Sequence, residues 1–149
     1  MATLTYLTTT HFDFGSVQNL NTELGRAGIT RVFIATDAGV RAAGLVDKVT
    51  DALEDDLPIS IFDETPGNPT EAAVTKAFEQ YTADGCNGVL AIGGGSAMDL
   101  AKLVAVMMGQ DKPLSEISGP NRAPARKVGL VQIPTTAGTG SEVGTRALV

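Results

Sequence analysis

Three glycines and a serine, at residues 93–96, lie between an apolar run and a helical pattern. Because glycine has no Cβ, such a turn lets the backbone approach a ligand closely. The helix that follows presents free amide groups and the positive end of its dipole, which suits a phosphate group. The alternative is a tight strand-to-helix turn without a ligand. Neither the phosphate loop that ends in Gly-Lys-Ser/Thr nor the GxGxxG fingerprint is present.

Two further polar residues follow apolar runs. Asp37 comes directly after the run that ends at Thr36. A carboxylate there can accept hydrogen bonds from ribose hydroxyls and repel a 2′-phosphate, or it can cap the next helix. Asn68 lies in the sequence GNPT. Its side chain can contact a ligand, or it can serve only as a turn residue.

A hydroxyl-rich segment occupies residues 135–141 and follows the last long apolar run. Hydroxyls and free backbone donors of this kind can surround sugar or phosphate groups. The alternative is a flexible loop in which Ser141 caps the next element. The candidate ligand-facing residues of this segment are Thr135, Thr136, Thr139 and Ser141.

We interpret most of the remaining reactive side chains as structural. The chain has one histidine, His11, and one cysteine, Cys86, so it cannot form an internal disulfide and offers no His/Cys cluster for a metal. We interpret Cys86 as a buried small hydrophobe and His11 as structural or solvated. Ser96 and Asp99 fit a capping box. Lys102 then pairs with Asp99 at the surface, or contacts phosphate. We identify no catalytic residue and no metal ligand.

The net charge of −6 and the absence of a basic block argue against nucleic acid and anionic membranes as partners. The N-terminal segment shows neither a signal peptide nor a transmembrane helix. We therefore expect a cytoplasmic protein. A length of 149 residues suits one domain with a substantial core.

Hydrophobic patterning predicts strands that alternate with helices. Short apolar or alternating runs predict strands at 3–9, 31–36, 59–62, 88–92, 128–133 and 145–149. Apolar residues at helical spacing predict helices at 16–28, 38–56, 69–85 and 96–109. This alternation predicts an α/β fold with a Rossmann-like, doubly wound, mostly parallel sheet in one domain, 1–149. The candidate loops would then converge on one edge of that sheet.

Four segments together resemble the iron-containing alcohol dehydrogenases: TDAGV (36–40), NPT (68–70), GGGSAMDLAK (93–102) and PTTAGTGSEV (134–143). They occur in the family's order and spacing across nearly the whole chain. The resemblance implies a two-domain enzyme that oxidises an alcohol to an aldehyde or ketone by hydride transfer to NAD. It also implies that the α/β half binds the cofactor and that a helical half, which the 149 residues do not include, holds the metal.

The resemblance assigns cofactor contacts by motif position. Asp37 would contact the adenosine ribose and favour NAD over NADP. The residues expected at the pyrophosphate and the nearby ribose are Asn68, Gly94, Gly95 and Ser96. Those expected further along the cofactor are Thr135, Thr136, Thr139 and Ser141. Gly144 departs from the family, which often has threonine directly after SEV.

The family's iron(II) is held by one aspartate and three histidines and polarises the alcohol oxygen. One histidine cannot supply three, so we expect this chain alone to be inactive. Two alternatives stay open: the nucleotide-binding domain of a zinc glycerol dehydrogenase or dehydroquinate synthase relative, and a non-catalytic truncated remnant. For the complete enzyme we expect a small alcohol or aldehyde as the substrate. Assembly into a homo-oligomer is a further alternative that the sequence leaves open.

Overall fold

The computed structural model describes residues 8–117, 119, 122–144 and 146–148. Its strands are β1 (Val32–Ala35), β2 (Ile59–Phe62), β3 (Gly88–Gly93) and β4 (Gly129–Pro134). They form one sheet in the order β2-β1-β3-β4, and every neighbouring pair is parallel. The predicted α/β fold with a parallel sheet is therefore confirmed.

Helices connect the strands. A 3-10 turn (Ser16–Asn19) leads into α1 (Leu20–Arg26), which precedes β1. The connection from β1 to β2 holds α2 (Ala38–Ala42) and α3 (Leu45–Thr50), and α4 (Glu71–Ala83) leads from β2 to β3. The connection from β3 to β4 holds α5 (Gly95–Met107) and α6 (Leu114–Ile117).

Both faces of the sheet are covered because successive side chains of each strand point to opposite faces. In β1, Ile34 packs with α1 and α3, whereas Phe33 packs with α4 and α5. In β3, Leu90 and Ala91 divide between the same two clusters. A strand buried on both faces reads as a continuous apolar run, which is why these strands were predictable.

Two predicted elements differ from the structure, and a third lies mostly outside the described residues. The single helix at 38–56 is wrong, because Gly44 adopts a left-handed conformation (φ 71°) that separates α2 from α3. A strand at 145–149 is also not formed in its described residues 146–148. The strand at 3–9 lies almost wholly outside the described residues, and Thr8 and Thr9 belong to no strand.

Cys86 lies just before β3 and is 6% exposed, so its interpretation as a buried small hydrophobe is confirmed. Burial, and secondarily the carboxylate of Asp84, raises the pKa of the Cys86 thiol to about 11. The reactive thiolate is correspondingly scarce near neutral pH.

We therefore expect Cys86 to react with an aromatic disulfide reagent at pH 8 about a hundredfold more slowly in the folded chain than in unfolded chain. The release of the coloured thiol measures both rates, and the same protein in concentrated guanidinium chloride is the control. Equal rates in the two states would contradict the burial of the thiol.

Candidate cofactor-binding site

A crevice opens at the carboxyl edge of the sheet, where the strand order reverses. The connection from β1 runs to β2 on one side, and the connection from β3 runs to β4 on the other. The loops after β1 and β3 therefore diverge, which is where open α/β sheets bind ligands. The crevice has a volume of about 400 Å³ and is lined by Asp37, Ala38, Gly39, Thr65, Pro66, Gly67, Gly94 and Ser96.

Asp37 has its predicted capping role and also lines this crevice. Its Oδ1 accepts a hydrogen bond from Val40 N (2.9 Å), so the carboxylate caps α2. Its Oδ2 lies next to Gly93, 3.4 Å from the position that a Cβ of that glycine would occupy. Because the cap uses Oδ1, Oδ2 is an acceptor that the cap does not occupy.

The start of α5 differs from the starts of the other helices that follow strands. Asp37 caps α2 and Thr70 caps α4 through their side chains, but no side chain caps α5 at Gly94. The first bond of the helical ladder runs from Met98 N to Gly94 O. The amides of the first turn thus remain available to an anion, in a helix of 13 residues.

Close packing favours glycine at all three positions of the turn. A Cβ on Gly93 would lie 2.8 Å from Ala97 Cβ, closer than carbon atoms approach each other. A Cβ on Gly94 would lie 3.1 Å from Thr136 Oγ1, and one on Gly95 would lie 3.2 Å from Thr139 Cγ2. The glycines therefore allow the segment after β4 to lie directly over the start of α5.

We call residues 135–141 the β4 loop. Thr135 N donates to Gly93 O (2.9 Å), which continues the pairing between β3 and β4 into this loop. Thr136 and Thr139 are exposed, and Ser141 is half-buried. The residues that follow form a turn closed by Val143 N and Gly140 O rather than a helix, so Ser141 caps no described helix.

The capping-box prediction for Ser96 and Asp99 is wrong. Because α5 begins at Gly95, Ser96 is already its second residue, and its hydroxyl donates to Gly67 O (2.5 Å). Asp99 lies one turn into the helix and pairs with Lys102 (3.1 Å). The predicted pairing is therefore confirmed, but the predicted surface position of the pair is wrong, because the side chains of Asp99 and Lys102 are only 9% and 12% exposed.

The segment after β2 contributes Thr65, rather than Asn68, to the lining of the crevice. Asn68 is exposed and does not line the crevice, although its neighbour Gly67 does. Thr65 does line it, and its buried Oγ1 has no hydrogen-bond partner in the described part of the chain. Thr65 was missed because a threonine next to a strand is usual for its β-propensity alone. A buried hydroxyl of this kind can bond to an ordered water or to a ligand in the crevice.

The described residues do not supply a site for the iron that the resemblance implies. Among the described residues, no three His, Cys, Asp or Glu side chains form a group that could hold a metal ion. His11 instead contacts Glu23 (3.0 Å) on α1, and this hydrogen bond is the main reason that the pKa of the Glu23 carboxyl is lowered. No helix in the described ranges is long and apolar enough to cross a membrane.

A model of the iron-containing alcohol dehydrogenase family matches residues 8–149. The chain belongs to this family. It is 44% identical over its full length to a 4-hydroxybutyrate dehydrogenase from Cupriavidus necator, of which it covers 40%.

Solved structures of the family show the same fold. The chain resembles a sulfoacetaldehyde reductase from Bifidobacterium kashiwanohense in complex with NAD+ (28% identity, TM-score 0.82), with 96% of this chain and 38% of that chain covered. An iron-containing alcohol dehydrogenase from Thermotoga maritima matches at 32% identity and a TM-score of 0.72, with 86% and 36% covered. The chain thus spans about two fifths or less of the length of these relatives.

Proposed function

We propose that residues 1–149 form the NAD-binding domain of an iron-containing alcohol dehydrogenase. The observation that carries the proposal is the crevice at the point where the strand order reverses, with an uncapped helix start on one side and the Asp37 carboxylate on the other. A dinucleotide needs this combination, because its pyrophosphate is anionic and its ribose donates hydrogen bonds.

Each part of the crevice would hold one part of the cofactor. Asp37 Oδ2 accepts from the adenosine ribose, and the amides at the start of α5, at Gly95 and Ser96, donate to the pyrophosphate. The β4 loop contacts the cofactor further along through Thr135, Thr136, Thr139 and Ser141, and Asn68 contacts it from the rim. Because the chain carries a net charge of −6, the attraction for phosphate comes from oriented backbone amides.

Bound NAD supplies a hydride acceptor at the nicotinamide ring. The residues described here bind and orient it, and none of them forms a metal centre that could polarise an alcohol. We therefore propose that this chain alone binds NAD without turnover. As substrate of the complete enzyme we propose a small alcohol or aldehyde, the chemical class named in the 4-hydroxybutyrate and sulfoacetaldehyde enzymes. Neither the fold nor these relatives favour a zinc glycerol dehydrogenase or a dehydroquinate synthase as the parent.

The charge of Asp37 provides the test. Calorimetric titration of the 149-residue chain should show tighter binding of NADH than of NADPH, because Asp37 repels a 2′-phosphate. Asp37→Ser keeps a side-chain oxygen that can cap α2 and removes the charge. We expect this substitution to reduce the preference for NADH by about tenfold or more.

Asp47→Ser is the matched control, because Asp47 is an exposed carboxylate in the first turn of α3, outside the crevice. It should leave both affinities unchanged. No NADH binding at millimolar concentration would overturn the cofactor proposal. Alcohol oxidation by the purified chain without a partner would overturn the proposal that the chain alone is inactive.

A further inference from the structure

An ion pair on α5 contacts the backbone that leaves the β4 loop. Lys102 Nζ donates to Asp99 Oδ1 (3.1 Å) and also to Arg146 O (2.8 Å). Asp99 Oδ2 accepts from Leu148 N (3.1 Å). The pair therefore bonds to two backbone groups of residues 146–148, one through each of its members.

The burial of this pair needs an explanation. Oppositely charged residues at i and i+3 of a helix usually lie at its surface, where each pair adds little stability. Burying both charges costs desolvation, which is offset only by good geometry and further hydrogen bonds. The pair gains those bonds from Arg146 and Leu148, and Gly144 also lies above it, with its Cβ position 3.8 Å from Lys102 Nζ.

The β4 loop packs on the start of α5, and hydrogen bonds fix the chain before and after it. It is joined to β3 at its entrance, where Thr135 N donates to Gly93 O. Within the loop, Ser141 N donates to Thr139 Oγ1 (3.3 Å), which is a local contact that fixes no position on α5. Residues 146–148, downstream of the loop exit, are held on α5 by the backbone bonds to Asp99 and Lys102, within about two turns of the glycines that the loop covers.

We propose that Asp99 and Lys102 are positioning residues for the cofactor: their ion pair holds the exit of the β4 loop so that Thr136 and Thr139 stay against the start of α5. This inference rests on the proposed NAD site. The two residues act through the loop and do not line the crevice themselves. Their loss should therefore affect the part of the cofactor that the loop contacts more than the part bound beside Asp37.

The test compares NADH with ADP, because ADP lacks the nicotinamide half. In Asp99→Leu/Lys102→Met, apolar side chains replace the pair, a change that buried ion pairs often tolerate without loss of stability. By calorimetry we expect the dissociation constant for NADH to rise about tenfold or more, and that for ADP to change less than about twofold. Asp99→Asn is a milder second variant, to be used if the double variant does not fold. We expect it to raise the dissociation constant for NADH as well, but by a smaller factor.

Two controls complete the design. Lys102→Arg keeps a charged donor and should retain most of the affinity for NADH. Arg26→Gln removes one member of another i, i+3 ion pair, between Arg26 and Glu23 on α1, and should change neither affinity. A folded double variant with wild-type affinity for NADH would overturn the positioning role alone. Equal losses for ADP and NADH would also overturn it, and a wild-type chain that binds neither nucleotide would overturn the NAD site as well.

Discussion

Gly95→Val should weaken NADH binding by about a hundredfold or more while leaving the fold intact. Even a methyl group on Gly95 would come within 3.2 Å of Thr139 Cγ2 and 3.3 Å of Ser141 Oγ. An isopropyl group must push the β4 loop away from α5 or enter the space that the pyrophosphate needs. Calorimetric titration with NADH measures the loss, and circular dichroism reports whether the helices remain.

Gly25→Val is the matched control for this substitution. Gly25 lies in α1, and a Cβ there would meet no atom within 4 Å. The control adds the same side chain to a helix outside the crevice, so it should bind NADH as the wild type does. If Gly95→Val also binds NADH with unchanged affinity, the start of α5 does not contact the cofactor.

Phe33→Ala should lower the free energy of unfolding by about 3–5 kcal/mol. Phe33 lies in β1 and is fully buried. Its ring stacks on Phe62 at a centroid distance of 6.3 Å and meets the edge of Tyr81 at 5.6 Å. Truncation therefore leaves a cavity between the sheet and α4 and removes two aromatic contacts. Urea denaturation followed by circular dichroism measures the change.

Phe14→Ala supplies the control, because the side chain of Phe14 is fully exposed. The same chemical change should there alter the free energy of unfolding by less than about 0.5 kcal/mol. Similar losses for the two variants would contradict the arrangement of the core. The stability test also bears on the site, since β1 carries Phe33 and ends just before Asp37.

The strands and most helices were predictable because their signals are local. Each central strand is buried on both faces, which leaves an unbroken apolar run in the sequence. The longer helices α4 and α5 agree with the predicted ranges 69–85 and 96–109 apart from their ends. The helix predicted at 38–56 failed because its apolar spacing continues across Gly44, and spacing alone does not report a left-handed residue.

The sequence by itself determined the alternation of strands and helices, and the placement of polar and glycine-rich loops after the strands. Those features follow from the periodicity of side chains along a single chain. The four motifs were also enough to indicate the family to which the chain belongs. The residues assigned to cofactor contact remain predictions, and the titrations with NADH above test them.

Only the tertiary structure showed which residues of the loops contact one another and which of them are buried. It showed that Asp37 caps a helix with one carboxylate oxygen while the residue lines the crevice, and that Thr65 lines this crevice as well. It also showed that the side chains of Asp99 and Lys102 are largely shielded from solvent and bond to the backbone of residues more than forty positions later in the chain. These facts depend on contacts between distant segments. Burial and hydrogen-bond partners are set by the elements that pack on a residue, which its own neighbours in the sequence do not specify.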